Sequence, residues 1–133
     1  MIEKITYIIK EKDKEINMIK AGIIGSTGYA GQELVRILTQ HKDAEVVWYG
    51  SRSYIDQKYY EVFRNMFQIV DDKCLDDNMD ELASKVDVIF TATPQGLCSS
   101  LVSEDILSKV KIIDLSADFR IKDVNRYEEW YGI

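Results

Sequence analysis

The sequence predicts an α/β domain built on a doubly wound, mostly parallel sheet. Three observations lead to this prediction. An apolar run at residues 21–24 ends in a glycine-rich turn that opens a helical pattern, and a second apolar run, at residues 45–50, follows that helix. Two more apolar runs, at residues 86–92 and 110–115, enclose another helical pattern at residues 97–109. Strands and helices therefore alternate, which is typical of a parallel sheet with helices on both faces.

The glycine turn has the spacing G-x-x-G-x-x-G, formed by Gly25, Gly28 and Gly31, and a helix is predicted to begin near Tyr29. Glycine allows unusual φ values and lets backbone N–H groups approach a ligand closely. The helix N-terminus adds free N–H groups and the positive end of the helix dipole, so the pattern predicts a Rossmann-like unit that binds a dinucleotide diphosphate. The alternative is a turn whose glycines serve packing alone. The predicted diphosphate-binding residues are Gly25, Ser26, Thr27, Gly28, Tyr29, Ala30 and Gly31.

The residues that follow the second strand favour NADP over NAD. An NAD site would carry an Asp or Glu about 20 residues beyond the glycine turn, where it accepts a hydrogen bond from the ribose 2′-hydroxyl. This chain has Ser51, Arg52 and Ser53 there instead. Arginine cannot accept a hydrogen bond, but it neutralises and hydrogen-bonds a phosphate. These three residues are therefore predicted to bind the 2′-phosphate of NADP, with a solvated loop arginine as the alternative.

The remaining elements are shorter. One helical turn is predicted at residues 59–63, a short strand within residues 67–75 and a short helix at residues 79–85. A closing aromatic helix or turn is predicted around Tyr127, Trp130 and Tyr131. By helical periodicity, the predicted buried side of the first helix consists of Leu34, Val35, Ile37 and Leu38. The predicted buried side of the helix at residues 97–109 consists of Leu101, Val102, Ile106 and Leu107.

Acidic residues and cysteines do not form a metal site in the sequence. Four loop acids lack a regular ligand spacing and are predicted to be solvated; they are Asp71, Asp72, Asp76 and Asp77. Cys74 and Cys98 have no neighbouring Cys or His, which argues against a metal site or a disulfide framework. Cys98 falls at the start of a helix, where the pKa of a thiol can fall, but a buried structural role is the favoured interpretation.

Composition and charge narrow the classes of function. A chain of 133 residues provides one domain, and its formal net charge of −6 argues against nucleic acid or an anionic membrane surface as a partner. No apolar run approaches the roughly 20 residues of a membrane span, and no secretory signal is recognisable. Residues 1–17 are predicted to be a charged N-terminal extension and residues 18–133 the nucleotide-binding domain of a reduced, cytoplasmic protein.

From residue 18 onward, the sequence resembles the N-terminal part of the N-acetyl-γ-glutamyl-phosphate reductase family. The most specific segment is Asp-Leu-Ser-Ala-Asp-Phe-Arg at residues 114–120, which general nucleotide-binding domains lack. Gln95 stands where the family usually has histidine. The other matching segments are residues 25–31, 33–36, 51–54, 93–96 and 130–132, together with Tyr127.

The resemblance implies an activity for the whole enzyme and, for this chain, the binding of its cofactor. In the family, a cysteine thiolate displaces phosphate from N-acetyl-glutamyl phosphate, and NADPH reduces the resulting thioester to the semialdehyde in arginine biosynthesis. The segments with the family's cysteine and its general-base histidine lie beyond residue 133. The chain is therefore expected to be a truncated NADP-binding domain that binds NADP(H) without turnover and holds no catalytic residue.

The resemblance also implies that Thr93, Pro94 and Ser116 lie along the ribose and nicotinamide, and that the full-length enzyme is a homo-oligomer. Two alternatives remain open. An aspartate-semialdehyde dehydrogenase is similar in fold and chemistry, although residues 114–120 argue against it. A stand-alone nucleotide-sensing module without catalysis is the other alternative.

Overall fold

The computed structural model describes residues 18–132, so the predicted N-terminal extension lies outside the described residues. The strands are β1 (Ile19–Ile24), β2 (Ala44–Gly50), β3 (Cys74–Leu75), β4 (Val88–Thr91) and β5 (Lys111–Asp114). The helices are α1 (Tyr29–Thr39), α2 (Tyr59–Val62), α3 (Met79–Lys85), α4 (Leu97–Leu101), α5 (Glu104–Lys109) and α6 (Val124–Tyr131). A 3-10 turn spans Arg64–Met66. Within this part of the chain, no helix is both long enough and apolar enough to cross a membrane.

The five strands form one sheet in the order β3-β2-β1-β4-β5, and every pair of neighbours is parallel. This confirms the predicted doubly wound parallel sheet. The chain builds outward from β1 to β2 and β3, then returns to place β4 and β5 on the other side of β1. The strand order therefore reverses between β1 and β4, and a ligand of such a sheet binds at this point, beyond the carboxyl ends of the strands.

The sheet separates two hydrophobic layers. On one face, Ile23 of β1 packs in a cluster with Val35 and Leu38 of α1. On the other face, Ile89 of β4 packs in a cluster with Leu82 of α3. The strands are apolar on both sides because both sides are covered, as expected for a parallel sheet.

The helix predicted at residues 97–109 is two helices, so this prediction was wrong. Val102 ends α4 in an extended conformation with φ −88° and ψ 131°. Ser103 then caps α5, since its Oγ accepts a hydrogen bond from the N–H of Ile106 at 3.3 Å. Serine followed by Glu104 and Asp105 is a recognisable helix start, because acidic residues in the first turn favour the positive end of the dipole.

Two residues predicted to be buried on helical faces are exposed. Leu107 has 55% of its surface exposed, and Ile37 is half exposed. Leu107 lies in α5, which begins after the break at Ser103, so the periodicity that runs from the residues of α4 does not apply to it. Ile106 is buried as predicted. For Ile37, the face of α1 that packs against the sheet is narrower than the apolar face that the helical periodicity predicts, so Ile37 lies outside it.

The contrast between two leucines tests this packing. Leu82 is fully buried, and its Cδ1 lies so close to Gly22 of β1 that a Cβ there would be 2.5 Å away. We expect Leu82→Ala to lower the free energy of unfolding by about 2–5 kcal/mol, because it leaves a cavity under the sheet. Leu107→Ala, the matched control, should cost no more than about 0.5–1 kcal/mol. Urea unfolding measures both, and equal losses would contradict the two-helix arrangement.

Candidate cofactor-binding site

The glycine turn begins at Gly25, directly after β1. Gly25 has a φ of +79°, and a Cβ at this position would lie 2.3 Å from the carbonyl oxygen of Ala92. Both the positive φ and the close approach of the Ala92 backbone therefore require glycine at position 25. The turn is tied to the end of β2, since the N–H groups of Gly25 and Ser26 both donate to the carbonyl oxygen of Gly50, at 3.1 and 2.9 Å.

The other two glycines of the turn have different reasons to be glycine. A Cβ on Gly31 would lie 2.0 Å from the carbonyl oxygen of Gly25, so its absence lets α1 press against the turn. Gly28 precedes α1 with an ordinary φ of −76°, and the nearest atom to an added Cβ is 3.6 Å away. Nothing in the described chain requires glycine at this exposed position. Glycine is a favoured N-cap residue, and at this position it also leaves the surface in front of α1 open.

Ser26 and Thr27, both predicted to bind diphosphate, have separate environments. The buried Ser26 hydroxyl donates to the Gly50 carbonyl at 2.9 Å, and the Tyr59 hydroxyl donates to the Ser26 carbonyl at 2.7 Å. The hydrogen-bonding groups of Ser26 thus shape the turn from inside. The Thr27 and Ser51 hydroxyls lie 2.8 Å apart and join the glycine turn to the residues that follow β2.

A cavity of about 340 Å³ opens at the carboxyl ends of the strands, and its lining includes most of the predicted site. The predicted residues in its lining are Gly25, Thr27, Gly28, Ser51, Arg52, Ser53, Thr93 and Pro94. The lining also includes residues that were not predicted, namely Tyr54, Asp77, Ala92 and Leu97. Five predicted residues are outside the lining: Ser26, Tyr29, Ala30, Gly31 and Ser116. Of these, Tyr29 is 95% exposed at the start of α1.

Two buried polar atoms in this lining have no hydrogen-bond partner among the described residues. They are Oγ1 of Thr93 and Oδ1 of Asp77. Leaving a buried polar group unpaired costs about 1–3 kcal/mol, so proteins rarely do so without a use for the group. A carboxylate oxygen only accepts hydrogen bonds, so of the two only the Thr93 hydroxyl can donate a hydrogen bond to an anionic ligand in this cavity.

Asp77 was predicted to be a solvated loop acid, and this prediction was wrong. Only 6% of its side chain is exposed, and its Oδ2 accepts a hydrogen bond from Nε of Arg52 at 2.5 Å. The backbone around it is fixed, because Nε1 of Trp48 donates to the carbonyl of Asp76 at 3.2 Å. Sequence reasoning missed Asp77 because its burial depends on how the loop after β3 folds against the end of β2.

Ser116 belongs to a different part of the sheet edge. Its N–H and hydroxyl donate to the two carboxylate oxygens of Asp114, at 2.9 and 2.7 Å. Both residues line a second cavity, of about 390 Å³, with Phe119 and Arg120. The structure therefore does not bring Ser116 together with the glycine turn in one cavity, and its role along the nicotinamide stays a prediction.

The cysteines have the environment of structural residues. Cys98 is fully buried, and burial raises the pKa of its thiol to about 11. Its Sγ lies 3.2 Å from Oγ1 of Thr91, which in turn lies 2.7 Å from Oδ1 of Asp114. The single hydroxyl proton of Thr91 is best used on the carboxylate, so the thiol donates to the hydroxyl. Burial also raises the pKa of the Cys74 thiol. Neither thiol is poised as a thiolate nucleophile.

Asp118 ties the loop after β4 to the C-terminal part of the chain. Its two carboxylate oxygens accept hydrogen bonds from the N–H groups of Gly96 and Ser99, at 2.7 and 2.9 Å. The hydroxyl of Tyr127 in α6 donates to the same carboxylate at 3.1 Å. Asp118 therefore fixes the loop whose first residues, Thr93 and Pro94, line the 340 Å³ cavity.

A parallel sheet with its first strand at the centre, followed by a glycine turn and a helix that begins there, defines a Rossmann-like domain. The family model for the semialdehyde dehydrogenase NAD-binding domain matches residues 20–132, and the chain belongs to this family. The crystal structure of aspartate semialdehyde dehydrogenase with NADP from Candida albicans has a similar fold. It has a TM-score of 0.64 and 19% sequence identity, over 79% of this chain and 31% of that one.

Several relatives have much higher sequence identity and share one name. The chain is 78% identical over 116 residues to N-acetyl-gamma-glutamyl-phosphate reductase of Lachnoclostridium phytofermentans, covering 87% of this chain and 34% of the relative. It is 75% identical to the reductase of the same name from Lachnospira eligens, over 87% of this chain and 33% of the relative. The chain thus spans about a third of the length of these relatives.

The Asp118 hydrogen bonds predict a loss of stability in acid. Burial raises the pKa of this carboxyl group, but the hydrogen bonds from Gly96, Ser99 and Tyr127 outweigh burial, and the pKa lies below its ordinary value of 3.8. A carboxyl group whose pKa falls on folding contributes stability above its unfolded pKa, and this contribution is lost as the pH falls through the folded pKa.

We therefore expect Asp118→Asn to be less stable than the native chain at pH 7, and the difference to shrink as the pH falls below about 4. Denaturant unfolding across this pH range measures the difference, with Asp72→Asn at an exposed loop position as the control. A difference that stays constant with pH would contradict the assigned role of the Asp118 charge.

Proposed function

We propose that this chain is the NADP-binding domain of an N-acetyl-γ-glutamyl-phosphate reductase, the enzyme that reduces N-acetyl-glutamyl phosphate to the semialdehyde in arginine biosynthesis. The observation that carries the proposal is the 340 Å³ cavity, where the glycine turn, Arg52 and the unpaired hydroxyl of Thr93 meet. The shared name of the relatives at 75–78% identity supports the choice of reductase. The aspartate-semialdehyde alternative has support from the fold alone.

In this proposal, the residues of the chain bind and orient the cofactor. The first-turn N–H groups of α1 and the open surface at Gly28 would hold the diphosphate, since a helix N-terminus attracts anions. Arg52, with Ser51 and Ser53 beside it, would hold the 2′-phosphate. Thr93 and Pro94 would lie towards the nicotinamide, where the unpaired Thr93 hydroxyl has a hydrogen bond to give. When bound, NADPH supplies the hydride for the reduction.

The proposal extends to the organisation of the protein. Residues 18–133 would form the cofactor domain, and residues 1–17 a charged extension to it. The acyl phosphate would be the substrate of the whole enzyme, which would be a cytoplasmic homo-oligomer. We expect no turnover by this chain by itself, because burial leaves both of its thiols poor nucleophiles.

Arg52→Ala tests the choice of cofactor. We expect this variant to lose about 10- to 100-fold in affinity for NADP and almost nothing for NAD, because a charge-assisted hydrogen bond is worth about 1.5–3 kcal/mol and only NADP carries the 2′-phosphate. Calorimetric titration of the full chain measures both affinities. Arg64→Ala, which removes an exposed arginine outside the cavity lining, is the control. Equal losses for the two cofactors would refute the assignment of Arg52.

Gly28→Ala tests the diphosphate site. An added Cβ has room in the folded chain, so we expect the variant to fold with a loss of at most about 1 kcal/mol, because alanine is a poorer N-cap residue than glycine. The methyl group would occupy the surface that the diphosphate approaches. Affinity for both NADP and NAD should therefore fall at least about tenfold. Gly31→Ala is the contrasting variant, since its Cβ would lie 2.0 Å from a backbone oxygen and should lower the stability itself. Unchanged cofactor affinity in a folded Gly28→Ala would exclude the proposed site.

A further inference from the structure

The Asp77 carboxylate is buried beside Arg52, a residue that the proposed function places on the 2′-phosphate. The two side chains differ in exposure: 56% of the Arg52 side chain is exposed, but only 6% of that of Asp77. Arg52 follows β2 and Asp77 follows β3, so the pair bridges the ends of two neighbouring strands. An exposed arginine is thus anchored by a carboxylate that the protein holds in place.

The backbone near Asp77 leaves its carboxylate little freedom. The N–H of Ser51 donates to the carbonyl of Leu75 at 2.9 Å, which joins the residue before Arg52 to the end of β3. The N–H of Asp77 donates to a carboxylate oxygen of Asp76 at 2.8 Å. Together with the contact from Trp48 to Asp76, these hydrogen bonds fix the loop that carries the anchor.

The anchor uses one edge of the guanidinium and leaves the other edge open. Asp77 accepts from Nε of Arg52, and the two terminal nitrogens of Arg52 have no hydrogen bond to the described residues. Those nitrogens carry four N–H groups in a rigid, planar arrangement that suits a phosphate. Binding of a flexible arginine costs side-chain entropy, and an arginine already held at Nε loses less of it.

We propose that Asp77 is a positioning residue that determines the preference for the 2′-phosphate by holding the guanidinium of Arg52 at Nε. This inference rests on the proposed function, since it assigns Asp77 to the same site. It predicts that Asp77 acts only through Arg52 and only on a cofactor that carries the 2′-phosphate. A merely structural residue would affect both cofactors alike.

The test is a double-mutant cycle on the full chain, titrated with NADP and with NAD. We expect Asp77→Asn to weaken NADP about tenfold and to leave NAD unchanged, because the amide holds Arg52 less firmly than the carboxylate. In the Arg52→Ala background, Asp77→Asn should change the NADP affinity by no more than about twofold, because the residue through which it acts is gone. Asp80→Asn, with the same change of charge at an exposed position on α3, is the control.

Three outcomes of the cycle would overturn the inference: equal losses for NADP and NAD, additive losses in the double variant, or tighter NADP binding by Asp77→Asn. The last would make Asp77 a competitor of the phosphate for Arg52. A native chain that binds neither cofactor would instead refute the proposed function, and the inference with it. The titration of the native chain separates this case from the other three.

An NMR measurement on the native chain keeps the inference testable if the Asp77 variant fails to fold. A hydrogen-bonded Nε–H exchanges slowly with water, so Arg52 should give an Nε–H signal that Arg52→Lys removes. We expect this signal to persist when adenosine 2′,5′-bisphosphate is added, since the anchor and the phosphate use different edges of the guanidinium. Loss of the signal on binding would contradict the inference.

Discussion

The carbonyl oxygen of Gly50 is the point on which the architecture of the site depends. It accepts hydrogen bonds from the N–H of Gly25, the N–H of Ser26 and the hydroxyl of Ser26. These contacts join the end of β2 to the turn that follows β1. Gly31 then brings α1 against the same turn, because its missing side chain leaves room for the carbonyl of Gly25. The Gly50 carbonyl thus holds the turn that precedes α1 against the end of β2.

The polar groups near the cavity divide into those that hydrogen-bond within the described chain and those that do not. The Ser26 hydroxyl donates to the Gly50 carbonyl, and the N–H and hydroxyl of Ser116 donate to the Asp114 carboxylate. The hydroxyl of Thr93 and the outer edge of the Arg52 guanidinium have no such partner among the described residues. The predicted site residues therefore include some whose polar groups stabilise the fold and others whose polar groups have no partner among the described residues. Gly28 differs from Gly25 and Gly31 in the same way, since only the latter two are required by the chain itself.

The sequence predicted the fold well because its signals are local. The glycine turn, the start of α1 at Tyr29 and the span of α3 all follow from patterns within a few residues. The break at Ser103 could also have been predicted, since the serine and the two acids after it form a local cap. The apolar periodicity that runs through residues 97–109 outweighed this signal in the prediction.

The parts of the site that escaped prediction depend on contacts between distant segments. Nothing near Asp77 in sequence distinguishes it from Asp76. Asp77 is the more buried of the two because the loop after β3 packs against the end of β2. The resemblance implied that Ser116 lies along the ribose and nicotinamide, and this stays a prediction. The sheet edge holds two separate cavities, and Asp114 and Ser116 line the second. There Oδ1 of Asp114 also accepts from Thr91, and the Ser116 hydroxyl accepts from the N–H of Asp118.

The central place of β1 also has a consequence for the order of assembly on the ribosome. One flank of β1 can pair with β2 early, but the other flank must wait for β4, which is synthesised more than sixty residues after β1 begins. Gly25 packs against the carbonyl of Ala92, so the glycine turn lacks this packing contact until Ala92 emerges from the ribosome. A nascent chain therefore carries an open strand edge, which favours unwanted pairing, until β4 has emerged. A ligand in the 340 Å³ cavity cannot shield that edge, because Ala92, Thr93 and Pro94 of its lining follow β4.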